Sequence, residues 1–600
     1  MIRPLKASLL AGVYAGAFTA IASPIFVIGG GLLSVYPAPW WQWWLYVPYA
    51  ADPVCRFWLM VSGIPAAILP LAIAGPVVVR GRHVRGWALR RNPPATQPPP
   101  MLMRSTTDNH GHARWASLAE MRVLWPGPAP GYGGLVVGEA YDPRADRVAR
   151  VPFSPRSPAT WGMGGKAPLL IDPCVDGSTH SLTIAGSGSY KTVCAVSSLL
   201  TWRGSAVLLD PATELGPMLR AARERMGHQV HVLRLQTAAS VGFNVLDWID
   251  IDSPMAETAV ASVVEWVCGD TPNQDATASF FKDRGKSLVN CLLLHMLFDP
   301  ALTPSRKTLR TLRAGIELPE EKLRNVLRRI NLVSQSDKAR GLAGNLMDLV
   351  SDTFSGVVAN AGQDTEWLAT RAYADLVSGN SFTSADITNG KTTVFISVPL
   401  SALMAAPGVA RCIIGALLNA VFEADGVIQG RVLFLLDEAA RLGRMAVLEL
   451  ARDAGRKYKI SLHLIYQSVG QIVDQWTVEG KRAWYESVSW RSYAAVKDLE
   501  TAKELSESIG DLGVLAWAEA KNTAGRGWFM RAIPNSWGNN LTYSEAERRL
   551  MRPEEVMNDL RDDVQIILPK KGRPVLAGRA IYFRREAMRQ RVGSNRFAKP

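Results

Sequence analysis

Cysteine is scarce in this chain of 600 residues, and its six cysteines lie far apart in the sequence. No CxxC pair and no cluster of cysteine with histidine occurs, which argues against a zinc-binding or disulfide-based framework. We therefore expect the main body of the chain to be reduced and cytosolic. Charged residues make up only 20% of the sequence, and the mean hydropathy is +0.04. This composition excludes a disordered chain, and it excludes an ordinary soluble enzyme unless the apolar excess is confined to one region.

The apolar excess is confined to the N-terminus, where no Asp, Glu, Lys or Arg occurs from Ala7 to Ala51. Because about 20 apolar residues cross a bilayer as a helix, this run predicts one span over residues 8–33. An aromatic cluster follows from Trp40 to Tyr49, as is typical of segments at the lipid headgroups. A second uncharged run predicts another span over residues 57–79. Residues 1–91 are therefore interpreted as a transmembrane hairpin.

Basic residues flank the two predicted spans on one side. Arg3 and Lys6 precede the first span, and arginines at positions 80, 82, 85, 90 and 91 follow the second. By the positive-inside rule, both termini and the bulk of the chain are cytoplasmic. A cleaved signal peptide is the alternative, since Ala20-Ile21-Ala22 fits a cleavage site. The apolar run continues past that site to Leu33, which favours a membrane span.

A glycine-rich loop stands between a predicted strand at 180–185 and a helical pattern that ends near Trp202. The loop has the order of a P-loop, in which small residues let backbone N–H groups face the phosphates of ATP, the lysine contacts the phosphate oxygens and the hydroxyl ligates Mg²⁺. The match to GxxxxGK[ST] is imperfect, because Ala185 and Tyr190 stand at the two glycine positions, and Tyr190 would need an uncommon backbone conformation. A plain glycine-rich turn is the alternative. The loop residues are Gly186, Ser187, Gly188, Ser189, Tyr190, Lys191 and Thr192.

A second element predicts a buried parallel strand over residues 431–436 that ends in Asp437 and Glu438. In a P-loop ATPase the first acid holds Mg²⁺ and the second polarises the attacking water. The alternative is an ordinary strand whose aspartate caps the next helix. Because both motifs occur in the expected order with helices between them, together they favour a nucleotide-dependent motor.

Further strands are predicted around these motifs, and most are followed by a helical pattern, as a parallel α/β sheet requires. Asp210 and Gln467 each follow one of them, and each is either a residue of the phosphate site or a capping or loop residue. The predicted strands cover residues 205–209, 230–235, 393–398, 462–466 and 490–496.

Amphipathic helices replace this pattern between residues 251 and 386, which predicts an all-helical insertion domain. We assign residues 92–175, which begin with the proline-rich stretch Pro93–Pro100, to a linker and the start of the nucleotide-binding domain. The ATPase domain then comprises residues 176–250 and 387–570, and residues 571–600 form a basic C-terminal tail. The insertion carries basic residues that either meet phosphate backbones or form a solvated helix face; they are Lys322, Arg324, Arg328, Arg329, Lys338 and Arg340.

Several further motifs accompany the hairpin and the loop, and they extend to about residue 556. They are His110–Ala116, Asp210-Pro211 with Glu214-Leu215, Phe243–Asp247, Leu433–Glu438, Gly455–Tyr458, Gln467-Ser468 and Arg549–Val556. In this order and spacing they resemble the TraG-like (TraG/TraD) type IV secretion coupling proteins, the membrane-anchored ATPases that feed substrates into conjugation machines. Tyr190 and Ala212-Thr213 depart from the glycine and the Lys-Gly that are usual in that family.

The resemblance implies a RecA-like P-loop ATPase of the FtsK/HerA-type translocase group, assembled as a homo-hexamer with ATP and Mg²⁺ at the subunit interfaces. It implies that the helical insertion recognises single-stranded DNA with its bound relaxase. Arg456 would act as an arginine finger on the neighbouring subunit, with Arg548 or Arg549 as alternatives, and Gln467 would contact the γ-phosphate. The implied location is the bacterial inner membrane, with the inner-membrane components of the type IV secretion system as partners.

Three functions are consistent with this sequence. The first is an ATPase that delivers DNA in conjugation, and the second is a coupling ATPase for protein effectors. The third is an ATP-binding scaffold with little turnover, which Tyr190 makes conceivable. A chromosome-partitioning pump is disfavoured, because it would carry more spans and a C-terminal DNA-binding domain for which residues 584–600 are too short.

Overall fold

The computed structural model of the protein describes residues 2–29, 42–70, 104–105, 107–186, 188–235, 241–269, 276–522 and 538–597. The chain divides into two compact units, Met1–Leu102 and Met103–Pro600. Each unit is described by itself below.

The first unit contains three α-helices in its described residues, α1 (Ile2–Gly29), α2 (Gln42–Tyr46) and α3 (Pro53–Pro70). Of the helices in the described part of the chain, α3 alone is long and apolar enough to cross a membrane, by length and composition. Val13–Phe26, within α1, is a shorter apolar stretch. The ends of both predicted spans, and the arginines that follow the second, lie outside the described residues.

Polar side chains join the helices of the first unit. The Tyr14 hydroxyl on α1 donates a hydrogen bond to the Ala67 carbonyl on α3, at 2.8 Å. The Trp43 indole N–H donates to Ser62 Oγ at 3.0 Å, and the Trp43 backbone N–H donates to Ser23 Oγ at 3.0 Å. Trp43 on α2 therefore bridges α1 and α3, so these two helices pack side by side.

The second unit is built on an 11-stranded sheet with the strand order β2-β1-β13-β12-β9-β3-β8-β7-β4-β6-β5. The strands from β9 to β5 in this order run parallel, and β12, β13, β1 and β2 add antiparallel pairs at one side. β10 and β11 form a separate two-stranded ribbon. The strands are β1 Leu135–Glu139, β2 Leu169–Asp172, β3 Ser181–Ala185, β4 Ala206–Leu209, β5 Gln229–Arg234, β6 Thr392–Ser397, β7 Val432–Leu436, β8 Ile460–Tyr466, β9 Trp490–Ala494, β10 Asp511–Asn522, β11 Gly538–Arg549, β12 Val564–Pro569 and β13 Val575–Gly578.

Helices of the second unit cover the sheet and fill the stretch between β5 and β6. They are α4 Leu118–Leu124, α5 Lys191–Thr201, α6 Leu215–Arg225, α7 Ala256–Cys268, α8 Ala276–Phe298, α9 Leu309–Ile316, α10 Glu320–Val333, α11 Asp337–Met347, α12 Ser351–Asp364, α13 Arg371–Val377, α14 Leu400–Ala405, α15 Pro407–Glu423, α16 Ala446–Ala454, α17 Val469–Ser487, α18 Leu499–Ile509, α19 Pro553–Asn558 and α20 Glu586–Arg589. The described residues between β5 and β6 thus form the run of helices α7–α13, at the place where the sequence predicts a helical insertion.

The parallel strands form because their sequences are nearly continuous apolar runs, which suits strands covered on both faces. β4, β6, β7 and β8 are buried along their whole length. Each lies within two residues of the strand predicted from the sequence. Because the strands are parallel, the residues that follow β3, β4, β7 and β8 meet at one edge of the sheet.

The C-terminal segment differs from the prediction of a basic tail over residues 571–600. Val575–Gly578 forms β13, which pairs with β12 and β1 inside the main sheet. The arginines that follow, Arg579 and Arg584, are buried. A short apolar strand between two basic stretches gives little periodic signal, which is why composition alone indicated a tail.

Candidate functional site

The loop after β3 has the backbone of an anion-binding turn. β3 ends at Ala185 and α5 begins at Lys191, so the loop leads directly into a helix N-terminus. Gly188 and Tyr190 both have positive φ angles, of +71° and +59°. Such left-handed residues turn successive N–H groups towards a common point, and the helix N-terminus adds its partial positive charge there. Ser187 lies outside the described residues.

Tyr190 occupies the left-handed region that a glycine usually fills. Its φ and ψ are +59° and +28°, as the imperfect loop motif led us to expect. Its ring packs edge-on against Phe153, with 5.5 Å between the centroids and 83° between the planes. The aromatic contact helps to hold a backbone conformation that is unfavourable for a residue with a side chain.

Three side chains from separate elements meet at the Glu438 carboxylate. Lys191 Nζ lies 3.0 Å from Glu438 Oε1, and both side chains are about nine-tenths buried. Gln467, which follows β8, donates from Nε2 to the same oxygen at 2.8 Å. Glu438 Oε2 is buried and has no partner among the described residues. The structure therefore brings together the predicted phosphate lysine, the predicted catalytic acid and the predicted γ-phosphate contact.

Asp437 lies beside this cluster at the end of β7. The carboxylate is buried and accepts the Glu438 N–H at 3.0 Å. Burial is the largest cause that raises the pKa of Asp437, to about 6; Lys191 opposes the rise and the Glu438 charge adds to it. Thr192, the second residue of α5, follows Lys191. A carboxylate and a hydroxyl are hard oxygen donors suited to Mg²⁺ that is also bound to nucleotide phosphates.

Divalent metal would depend on that nucleotide. No group of three or more His, Cys, Asp or Glu side chains that could hold a metal occurs in the described part of the chain. Asp437 and Thr192 alone leave most of an octahedral shell to phosphate oxygens and water, which is how Mg²⁺ is bound in nucleotide sites.

Asp210, at the end of β4, is a helix cap. Its carboxylate accepts the backbone N–H groups of Glu214 at 3.1 Å and Leu215 at 2.9 Å, at the start of α6. Ser397 Oγ also donates to it, at 3.2 Å. Burial is the largest effect on the Asp210 carboxyl and raises its pKa, although these hydrogen bonds oppose the rise. Of the two alternatives for Asp210, the contacts favour capping.

Arg456 does not join the Lys191–Glu438 cluster. It is exposed and precedes β8, so it lies at the edge of the sheet where the parallel strands begin, opposite to the loop. It lines a cleft of about 700 Å³, together with Arg452, Lys570 and Lys571. Its guanidinium has no hydrogen-bond or ion-pair partner in the described part of the structure.

The two alternative arginines are engaged inside the same subunit. Arg548 forms an ion pair with Glu555, and Arg549 pairs with Asp511 at 2.9 Å. Only Arg456, of the three arginines considered, therefore has a guanidinium that is free to contact another molecule.

Comparison with known proteins identifies the family. A family model described as "Type IV secretory system Conjugative DNA transfer" matches residues 132–600. The chain belongs to this family. It is 39% identical over 581 residues to the type IV secretion system-coupling protein VirD4 of Bartonella quintana, which covers 96% of this chain and 85% of the relative. It is 38% identical over 555 residues to the conjugal transfer protein TraG of Agrobacterium fabrum, covering 91% of this chain and 82% of that protein.

Solved structures show the same fold for the coupling protein. The bacterial conjugative coupling protein TrwB, in a form lacking its first part and bound to sulphate, superposes with a TM-score of 0.54 at 14% identity, covering 81% of this chain and 96% of that one. TrwB has also been solved with ADP and Mg²⁺, with a TM-score of 0.51 at 14% identity over 78% of this chain and 96% of TrwB. The predictions of a TraG-like coupling protein and of a RecA-like P-loop ATPase fold are confirmed.

One residue at the loop of this coupling protein was missed by the sequence reasoning. Arg579, which follows β13, donates from Nη1 to the Ser189 carbonyl. Nothing in the sequence pattern distinguishes this arginine from its basic neighbours, because the contact joins residues 390 positions apart.

Proposed function

We propose that this coupling protein is a membrane-anchored ATPase that recruits single-stranded DNA with its bound relaxase and drives the transfer by hydrolysing ATP. The observation that carries this proposal is the convergence of Lys191 and Gln467 on Glu438 beside a left-handed glycine-rich loop. Such a cluster unites a phosphate cation, a water-activating carboxylate and a γ-phosphate contact, which is the set of groups that phosphoryl transfer requires.

Each side chain has a separate task in this mechanism. The loop Gly186–Thr192 holds the triphosphate, and its lysine turns from Glu438 to the β- and γ-phosphate oxygens. Mg²⁺, when bound, neutralises charge on the phosphates, and Thr192 and Asp437 hold it. Glu438, freed from Lys191, orients and polarises the attacking water. Gln467 remains beside Glu438, where its amide contacts the γ-phosphate and transmits its presence to β8.

The charge that develops on the phosphates calls for a further cation, which we assign to Arg456 of a neighbouring copy. Arg456 lies at the opposite edge of its own sheet, so it cannot reach the nucleotide of its own subunit. A ring in which this edge faces the loop of the next subunit would supply the guanidinium in trans and couple hydrolysis to subunit contact. We propose a homo-hexamer for this reason and by likeness to the family.

The N-terminal unit anchors the motor. We propose two spans, with both termini cytoplasmic, in the bacterial inner membrane beside the inner-membrane components of the secretion system. Side-by-side packing of α1 and α3 supports a hairpin, since interhelical hydrogen bonds through Tyr14 and Trp43 stabilise helix pairs in lipid.

The helical segment, residues 251–386, is proposed as a separate domain that receives the DNA–relaxase substrate. Five of its six basic residues named above are exposed on α10 and α11. The sixth, Arg324, packs over the Phe354 ring at 4.0 Å and pairs with Glu320 at 3.0 Å, so it is structural. Arg328 and Arg329 are neighbours on the exposed face and are the best candidates for phosphate contacts.

ATP hydrolysis by the full-length, detergent-solubilised chain tests this function, with and without single-stranded DNA. We expect DNA to stimulate turnover, and we expect Lys191→Ala and Glu438→Gln to abolish it. DNA binding should weaken steeply with salt, and Arg328→Gln with Arg329→Gln should lower that slope by about 2, one unit for each lost phosphate contact. Turnover that ignores DNA, with a flat salt slope, would favour protein effectors. ATP binding without any turnover would favour a scaffold.

A further inference from the structure

Arg579 lies directly beneath the phosphate loop. β13 is reached from β9 through two antiparallel pairings, so it runs parallel to β9 and β3, and its carboxyl end lies at the edge of the sheet that bears the loop. Arg579 follows β13, and its side chain is 1% exposed. Nη1 donates to the Ser189 carbonyl and, at 3.3 Å, to the Asp562 carbonyl.

The backbone around Arg579 is fixed on both sides. The Arg579 N–H donates to the Asp563 carbonyl at 2.8 Å. The next carbonyl, that of Ala580, accepts the Ser197 hydroxyl of α5 at 2.6 Å. The guanidinium is therefore held at the loop by the sheet and by the same helix that carries Lys191.

The Arg579 charge has no carboxylate partner. No Asp or Glu oxygen lies within 4 Å of its guanidinium nitrogens in the described residues, and its Nε is buried with no partner. Asp563, the nearby buried carboxylate, is already paired with Arg561 at 2.9 Å and with Arg584 at 2.6 Å. A buried cation with only carbonyl partners is destabilising unless an anion compensates it.

Two further buried polar atoms around the loop also lack partners. They are Ser189 Oγ and Glu438 Oε2. Buried polar groups are almost always hydrogen-bonded, so unpaired ones at one place indicate a missing ligand or water. The loop backbone, Lys191 and Arg579 together favour a ligand that is anionic and rich in oxygen.

We infer that Arg579 is a positioning residue for the phosphate groups of a nucleoside triphosphate, acting through the loop from below. Its hydrogen bond fixes the Ser189 carbonyl away from the ligand, which leaves the following N–H groups directed at the phosphates. Its charge adds to that of Lys191 and so favours a multiply charged phosphate chain. This inference rests on the proposed role of Gly186–Thr192 as the ATP site.

Direct binding of Mg²⁺-ATP to the full-length, detergent-solubilised chain tests the inference. We expect Arg579→Gln to weaken ATP binding by about 10- to 100-fold, the effect of losing one charge-assisted hydrogen-bonding group. Arg579→Lys should recover part of this loss, because it keeps the charge. In turnover, KM for ATP should rise more than kcat falls, since the lost interaction is present in the ground state and in the transition state.

Arg223 provides a matched control. It is 0% exposed and donates only to neutral partners, which include the carbonyls of Leu199 at 3.1 Å and Gly204 at 2.8 Å, but it is held in α6. Arg223→Gln should lower stability as Arg579→Gln does and leave ATP affinity within about threefold of the parent, because α6 does not contribute to the loop.

Equal ATP affinities of the Arg579→Gln and Arg223→Gln variants would overturn the inference while leaving the proposed function intact. Failure of the parent chain itself to bind ATP would overturn both. A loss specific to Arg579→Gln, with partial recovery in Arg579→Lys, would support the inference.

Discussion

Replacing Tyr190 tests whether the phosphate loop has the backbone described here. A residue with a Cβ in the left-handed region costs about 1–2 kcal/mol relative to an unstrained conformation, whereas glycine adopts it freely. Tyr190→Ala and Tyr190→Gly both remove the contact with Phe153, which is worth about 0.5–1.5 kcal/mol. The two variants therefore differ in the backbone term alone. We expect the glycine variant to be more stable than the alanine variant by about 1 kcal/mol.

This order is the reverse of the usual one, which makes the test specific. In a helix interior, alanine is more stable than glycine by about 0.5–1 kcal/mol. Cys194, within α5, is the matched control position, because its backbone is helical. Cys194→Ala should be more stable than Cys194→Gly by that amount. Only position 190 should show the inverted order.

The assay is chemical denaturation of the detergent-solubilised chain, followed by tryptophan fluorescence, together with the KM for ATP. The parent and Tyr190→Gly should differ by less than about 1 kcal/mol, because relief of strain offsets the lost aromatic contact. Their KM values should be similar, since glycine keeps the loop conformation. An alanine variant as stable as the glycine variant would refute the left-handed loop.

Three further predictions concern the surroundings of the site. Asp210→Ala should lower the free energy of unfolding by about 1–2 kcal/mol, because the α6 N–H groups lose their cap, whereas Asp210→Asn should keep most of it; denaturation of both variants checks this. His463 is buried between Ser181 and Thr183, and burial lowers its pKa to about 4. Since the unfolded chain takes up this proton below pH 6.5 and the folded chain does not, about 3 kcal/mol of stability should be present above pH 6.5 and be lost towards pH 4, and His463→Gln should flatten this dependence. Glu438→Gln should reduce kcat at least about 100-fold without loss of ATP binding in equilibrium measurements, and retained turnover would exclude it as the water-activating group.

The sheet and its motifs could be predicted because their signals are local. The apolar runs before Asp437 and Gln467 are strands in the structure, and the loop after Ala185 has the positive φ angle at Tyr190 that the sequence demanded. The meeting of Lys191, Glu438 and Gln467 followed from one rule, that parallel strands end at one edge.

Other features depend on contacts that no local pattern contains. Asp210 had the same local signal as Asp437, and only its hydrogen bonds to α6 distinguish a cap from a metal ligand. Arg579 and the strand before it looked like part of a basic tail, because pairing with β12 and β1 involves distant segments. Arg456 is placed at the far edge of the sheet by topology alone, and that placement is what makes a neighbouring subunit necessary.

The central claim is that ATP bound by one copy is hydrolysed with Arg456 of the next copy, and mixing two inactive variants tests it most directly. Lys191→Ala subunits lack the phosphate lysine, and Arg456→Ala subunits lack the free guanidinium, so each alone should be inactive. In mixed assemblies, an intact loop of one variant meets the intact Arg456 of the other. The account predicts that ATP hydrolysis returns on mixing, to roughly a quarter of the parent rate when the two variants mix at random and sites act independently. No recovery in assemblies shown to contain both variants would contradict it.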